Sequence, residues 1–255
     1  MKRKVIYAIS GKANSGKDTV ASIILYLSIK GFIDNIEFNN QYKQWFYYRD
    51  RYAALHNNLH FADNLKTALA SIFCVDKVVF NNRAIKDKYC LKLNDYTLID
   101  INDIEKSEDN IILANDDLED MTIEQYLYHF NKLGNKNIYI SIRTLMQHFA
   151  TKICREIIDE NIWVKSLLKH IDKLNDDVVC VSNVRFKNEQ EALLKLKETK
   201  GYKVVTIKII REDNKNNDTH ESEKINFNCD YEIVFEDLKQ LFTIIKKIYY
   251  ENRIS

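Results

Sequence analysis

The chain has 255 residues, with 38 basic and 37 acidic side chains and a net charge of +1, so it can bury a full core as one α/β domain with an insertion or as two small domains. So even a charge balance argues against a general nucleic-acid or membrane-surface binder, and no stretch reaches membrane-spanning length. Five scattered cysteines (74, 90, 154, 180 and 229) form no C-x-x-C pair and read as reduced, mostly buried thiols of a cytoplasmic protein, while the absence of proline leaves turns to Asn, Asp and five glycines.

The first elements are the most informative. The apolar run Val5-Ile6-Tyr7-Ala8-Ile9 predicts a strand, and Val20, Ile23, Ile24 and Leu27 are spaced for one face of a helix. Between them lies Gly11-Lys12-Ala13-Asn14-Ser15-Gly16-Lys17-Asp18-Thr19. A strand, a tight loop and a helix are the setting that makes G-x-x-x-x-G-K a phosphate-binding pattern. Gly11 and Gly16 permit backbone angles at which successive N–H groups turn inward around an anion, with Asn14 and Ser15 between them, and the helix start adds unpaired donors and partial positive charge. Lys17 supplies a point charge for the β and γ phosphates, and Thr19 a hydroxyl. The residue after the lysine is ordinarily Ser or Thr, yet here it is Asp18. A bare carboxylate would repel a triphosphate, and an intervening Mg²⁺ reverses the sign, so Asp18 is a candidate metal-side residue. The plainer reading is a glycine-containing turn with a favourable first-turn acid.

A helix ending near Gly31 follows. From Gln41 to Tyr52, aromatic and basic residues interleave; a half-buried helix or hairpin with a wet rim explains this better than a single-strand stacking surface. Leu59 to Lys66 reads as a strand end, a polar corner and a new helix. Asp63 and Lys66 stand where a second strand delivers residues to the carboxyl edge, and Asp63 reads equally as a helix N-cap. Residues 77–138 lack clean periodicity. Asp100 to Asp120 is acid-rich without ligand spacing and reads as a solvated insertion, closed by a short helix from Thr122 to Phe130.

The pattern sharpens at Ser141, a natural cap for a helix continuing through Arg155 and Ile157. Arg143 and Gln147 share a polar face. Guanidinium groups grip phosphates with two hydrogen bonds, so Arg143 and Arg155 are candidate phosphate ligands, with an ordinary surface ion pair as the alternative. Val178 to Ser182 predicts a buried parallel strand whose end carries Asn183 and Arg185, where phosphate-loop enzymes often keep a metal-binding acid. A helix over Glu189–Lys197, a strand over Lys203–Ile210, a polar loop holding Asn217 to Glu223, a short strand at Tyr231–Val234 and a closing helix complete an alternating order. That order implies a parallel layered sheet.

In order along the chain, Ser15-Gly16-Lys17-Asp18-Thr19, Leu65-Lys66, Ser141-Ile142-Arg143-Thr144-Leu145-Met146-Gln147, Asn161-Ile162-Trp163-Val164, Val184-Arg185 with Asn188-Glu189, and Asn217-Asp218-Thr219-His220 with Glu223 resemble the deoxynucleoside monophosphate kinases of tailed bacteriophages. The resemblance implies a P-loop kinase fold of class α/β: a central parallel sheet flanked by helices, with an acid-rich insertion. It divides the chain into 1–76 (phosphate loop and first half of the core), 77–138 (insertion or substrate-side subdomain) and 139–255 (second half of one continuous kinase domain). It also implies transfer of the γ-phosphoryl of ATP to a deoxynucleoside 5′-monophosphate in the cytoplasm, that of the host if the protein is viral. The cofactors implied are ATP and Mg²⁺, and the partners are nucleotide substrates and a possible homodimer, with no membrane and no stable nucleic acid.

The roles come with the resemblance. Lys17 and the loop from Gly11 to Thr19 would hold the ATP phosphates. Arg143, Arg155 and Arg185 would clamp the acceptor phosphate or neutralise the transferring group, and Asp63, Lys66 and Gln147 would line the acceptor. Arg211 and His220 would lie on the adenine side, and Asp18 with Asp63 on the metal side. The sequence departs from the family pattern at Asn183, where an acid is expected, and at Ala150, where glycine is usual. The rival readings are a phosphomevalonate-type small-molecule kinase and a regulatory protein that holds ATP without transferring phosphate.

Overall fold

A computed structural model of the chain describes residues 4–12, 14–30, 43–47, 57–113, 136–210 and 228–253. The strands are β1 (Val5–Gly11), β2 (Asn58–Leu59), β3 (Tyr89–Lys92), β4 (Leu98–Asp100), β5 (Asn110–Leu113), β6 (Asn137–Ser141), β7 (Val178–Val184), β8 (Lys203–Ile210) and β9 (Tyr231–Val234). The helices are α1 (Lys17–Lys30), α2 (Asp63–Ile72), α3 (Val78–Asn81), α4 (Arg83–Lys88), α5 (Ile142–His148), α6 (Ile162–Lys173), α7 (Lys187–Leu194), α8 (Leu196–Lys200) and α9 (Leu238–Asn252), with a π-helical stretch at Phe149–Ile158. They fall into two compact units, one of residues 1–61 with 164–255 and one of residues 62–163.

The first unit is built on a five-stranded sheet in the order β2-β7-β1-β8-β9, every neighbouring pair parallel. β1 is buried along its whole length, as a central strand covered on both faces must be, which is why it reads as a continuous apolar run. Val5, Tyr7 and Ile9 share one face and pack with Ile23, Ile24 and Leu27 of α1 and with Leu241, Phe242 and Ile245 of α9. Trp45, in a helical turn at 43–47, inserts into the same core with its ring 5.8 Å from Phe242, while Phe46 and Tyr47 are exposed. The half-buried reading of that aromatic stretch therefore holds for its described part. Beside β1, the register of β7 shifts: Ala8 pairs with Val181 and Ser10 with Val184, so β7 advances three residues while β1 advances two. This is a bulge at Ser182 and Asn183, and such an extra residue turns side chains out of the regular alternation.

The second unit holds a four-stranded sheet in the order β4-β3-β6-β5, antiparallel except for β5 beside β6. Its core joins Leu65 and Leu69 of α2, Phe80, Leu91, Ile140 and the α5 residues Ile142 and Leu145. Much of the segment that lacked periodicity is thus short strands and helices, too brief for a period of 2 or 3.6 to repeat. Within the acid-rich stretch, Asp103, Glu105, Glu108 and Asp109 are exposed as a solvated segment should be, while Asp100 pairs with Lys88 at 2.7 Å. The cap position of α2 is Ala62, which corrects the N-cap alternative for Asp63: that carboxyl belongs to the first turn. Ser141 does cap α5, its hydroxyl accepting from Thr144 N at 3.0 Å. The helix expected to continue regularly through Ile157 changes to π geometry after His148, and the one expected over Glu189–Lys197 is divided into α7 and α8. Gly31, the helix expected over Thr122–Phe130 and the loop from Asn217 to Glu223 lie outside the described residues. None of the five cysteines forms a disulfide, and Cys90, Cys154 and Cys180 are buried.

Candidate active site

Between β1 and α1 the backbone takes conformations that only particular residues tolerate. Gly11 has φ +151° and Gly16 +97°, and Asn14 sits in the left-handed region at 60°. A Cβ on Gly11 would stand 2.5 Å from Ser15 Oγ and 2.7 Å from the carbonyl oxygen of Ile209, so the turn closes only around glycine. Ser15 is 1% exposed, and its hydroxyl is buried with no hydrogen-bond partner among the described residues. An unmet buried polar group costs roughly 1–3 kcal/mol, so the loop carries a standing demand for a polar ligand. Lys17, the first residue of α1, is buried, and its Nζ donates to the carbonyls of Gly11 at 2.8 Å and Lys12 at 2.6 Å. Turn, orphaned hydroxyl, held ammonium and helix start together suit a polyphosphate.

Asp18 follows on the exposed side, and two side chains that match no motif stand against it. Ser182 Oγ donates to Asp18 Oδ1 at 2.7 Å, His60 Nε2 lies 3.1 Å from the same oxygen, and Ser182 Oγ is 2.9 Å from His60 Nε2. His60 follows β2, and Ser182 lies in the bulge of the neighbouring strand β7, where Leu59 pairs with Val181. Burial alone would raise the Asp18 pKa; hydrogen bonds from His60 and Ser182, the charge of His60 and a hydrogen bond from Asn58 outweigh it and hold the group at about 2. Asp18 is therefore a carboxylate at any working pH. Among the described residues no three His, Cys, Asp or Glu side chains gather as a metal cluster. Mg²⁺ on a nucleotide needs only one or two protein oxygens beside phosphates and water, so Asp18 with the half-buried Thr19 fits it.

At the end of β7, Asn183 does not stand open as a ligand: its Oδ1 accepts from Arg185 Nε at 2.7 Å. Glu189 Oε2 in turn accepts from the backbone N–H groups of Arg185 at 2.8 Å and Phe186 at 3.1 Å. The chain after β7 is thus tied down at both side chain and backbone.

The remaining candidates belong to the second unit. Arg143 and Gln147 are exposed on one face of α5. Arg143 Nε donates to Asp87 Oδ1 at 2.9 Å, and its Nη2 meets the same oxygen, so the surface ion pair weighed as the alternative is formed here. Asp63 and Lys66 pair within the first turn of α2 at 3.5 Å. Arg155 is half-buried in the π-helical stretch, where Ala150 offers its carbonyl to Trp163 Nε1 at 3.3 Å. Arg211 and His220 lie outside the described residues.

Residues 4–245 match the family described as deoxynucleotide monophosphate kinase. The chain belongs to that family. A relative in Escherichia phage T5, a deoxynucleoside-5'-monophosphate kinase, is 37% identical over 60 residues, which is 24% of this chain and 24% of that protein. The family match runs from the start of β1 into α9 and so takes in both units, whereas the likeness to the phage T5 kinase spans about a quarter of either length. No helix among the described residues is long and apolar enough to cross a membrane.

Proposed function

We propose that the protein transfers the γ-phosphoryl group of ATP to the 5′-phosphate of a deoxynucleoside monophosphate, releasing ADP and a deoxynucleoside diphosphate. The observation that carries this reading is the turn between β1 and α1, closed around Gly11, with the buried Ser15 hydroxyl, which has no partner among the described residues, inside and the Lys17 ammonium at its edge. Family membership supplies the acceptor class.

In this reading the amides from Asn14 to Thr19, the Ser15 hydroxyl and Lys17 bind the ATP phosphates, with Arg211 and His220 on the adenine side. Asp18 and Thr19, and Asp63 as a further carboxylate, are the oxygen donors for Mg²⁺. When bound, the cation neutralises charge on the phosphates. Arg143 exchanges its exposed ion pair for the acceptor phosphate. That ion pair contributes about 0.2–1 kcal/mol, whereas a hydrogen bond between charged groups gives about 1.5–3 kcal/mol, so the exchange runs toward the nucleotide. Arg155 and Arg185 support the transferring group, and Lys66 and Gln147 contact the acceptor. Phosphoryl transfer asks for alignment and charge stabilisation rather than a covalent intermediate, which this set of amides and guanidinium groups can supply. The reaction belongs to the cytoplasm, where both nucleotides are found.

A coupled assay with Mg-ATP against deoxynucleoside monophosphates, ribonucleoside monophosphates and phosphomevalonate tests the reading. Turnover of at least one deoxynucleotide is expected, with Lys17→Ala losing about 10²–10³ in kcat, the loss usual for one preorganised donor. Turnover of phosphomevalonate alone, or ATP binding without any transfer, refutes it.

A further inference from the structure

The Ser182–His60–Asp18 cluster superficially resembles a hydrolytic triad, but its geometry excludes that use. A triad needs the imidazole to join its two partners through opposite ring nitrogens, Nε2 to the nucleophile and Nδ1 to the carboxylate. Here a single nitrogen, Nε2, faces both Ser182 at 2.9 Å and Asp18 at 3.1 Å. Ser182 is also only 1% exposed, out of reach of a substrate.

The hydrogens can be assigned by elimination. Ser182 has one, and it goes to Asp18 Oδ1 at 2.7 Å. Its oxygen must then accept from His60, so Nε2 carries a hydrogen, and that N–H also faces the carboxylate rather than opposing it with a lone pair. Two donors, one just after β2 and one in β7, thus converge on one oxygen of Asp18, which is otherwise on the exposed side of the helix start. A hydroxyl buried directly after the apolar run Val178–Val181 is costly unless paired, and the register shift in β7 falls at this residue.

We propose that His60 and Ser182 are positioning residues: they fix the Asp18 carboxylate in the one orientation that receives the divalent cation of the incoming nucleoside triphosphate. The inference rests on the reading above that Asp18 is a metal-side residue. It accounts together for two departures from the common phosphate-loop arrangement, Asp18 after the lysine and Ser182 on the strand. The usual arrangement has a hydroxyl after the lysine and a carboxylate on the strand; this chain has the carboxylate after the lysine and a hydroxyl on the strand. The pair is kept with its members exchanged. Second-layer partners of a metal-binding carboxylate typically control affinity by 10–100-fold.

The test measures Mn²⁺ affinity by electron paramagnetic resonance for the full chain with a non-hydrolysable ATP analogue, and separately the affinity for the analogue in EDTA. Asp18→Asn is expected to weaken Mn²⁺ binding about 100-fold. Ser182→Ala and His60→Phe should each weaken it about 10-fold with analogue affinity in EDTA within twofold, and His60→Gln, which keeps an N–H near the Nε2 position, should recover to within threefold. On the Asp18→Asn background, Ser182→Ala should add less than threefold, because its effect passes through the missing carboxylate. A general structural role would leave the two changes additive and would lower analogue and cation affinity alike; either result overturns the proposal. If His60→Phe fails to fold, the smaller Ser182→Ala change decides. Loss of Mn²⁺ affinity in Asp18→Asn with none in Ser182→Ala or His60→Phe defeats the positioning role alone, whereas unchanged affinity in Asp18→Asn defeats the metal-side reading itself.

Discussion

Two cations carry the candidate chemistry, and the molecule holds them in opposite ways. Lys17 is buried in the first unit, and its ammonium is held by two backbone carbonyls of its own loop. Arg143 lies in the second unit with its side chain 48% exposed, held by a carboxylate that is 47% exposed. The loop around Lys17 is fixed by covalent geometry, by Gly11 and by β1, a central parallel strand buried on both faces. The surroundings of Arg143 are a side-chain pair that water already reaches. The difference teaches that a rigid grip and a replaceable one suit different tasks: on the proposed function, the rigid hold suits a phosphate chain that never varies, and the replaceable hold suits an acceptor whose phosphate must enter and leave.

The sharpest way to break this contrast is to attack the rigid side. Gly11→Ala puts a methyl group against Ser15 Oγ and the Ile209 carbonyl at a positive φ. Overpacking and backbone strain each cost about 1–3 kcal/mol, so urea unfolding should show a loss of about 2–6 kcal/mol and calorimetry a loss of ATP binding. A variant that keeps both would mean the turn is not the constrained element described here. On the replaceable side, Arg143→Ala should raise the acceptor KM about 10–100-fold, with the KM for ATP and the melting temperature nearly unchanged. Equal increases in both KM values would erase the distinction between the two cations.

Smaller effects sharpen it. Asp87→Asn removes the partner of Arg143, and because an exposed pair contributes at most about 1 kcal/mol, the acceptor KM should change by no more than about fivefold in steady-state assays. Asp18 offers a pH test. Its pKa falls from 3.8 to about 2 on folding, so its ionised form stabilises the fold above pH 3.8, and that contribution is lost as pH drops through about 2. Discounted for the 67% exposure of its side chain, the effect is at most about 1 kcal/mol. Acid-unfolding curves of the protein and of Asp18→Asn should therefore differ by this amount at pH 5 and converge near pH 2.

The contrast also explains which parts were legible in the sequence. β1 and β8 could be bounded closely because a buried parallel strand leaves a mostly apolar run, and α1 was legible as a helix, although Val20 to Leu27 is buried all round and not along one face alone. The phosphate loop was legible because glycines and a lysine at fixed spacing have few other uses. The second sheet was not, since strands of three to five residues carry too few alternations to stand out. His60 and Ser182 were illegible for another reason: their meaning comes from strand adjacency and a bulge, and neither leaves a local pattern. An isolated serine closing the Val178–Val181 run was the one available hint. Asn183 drew attention at the strand end, yet the bulge delivers Ser182, its predecessor, to Asp18, and Asn183 to Arg185.

One consequence of the Lys17 contacts concerns turnover. The oxygens of Gly11 and Lys12 already satisfy the Lys17 ammonium. An arriving polyphosphate must compete with those two oxygens, and on its departure they take the ammonium back. On the proposed function, entry is thus a trade of ligands around one nitrogen, which would moderate how tightly a spent nucleotide is retained and leave the ammonium with a partner on its release.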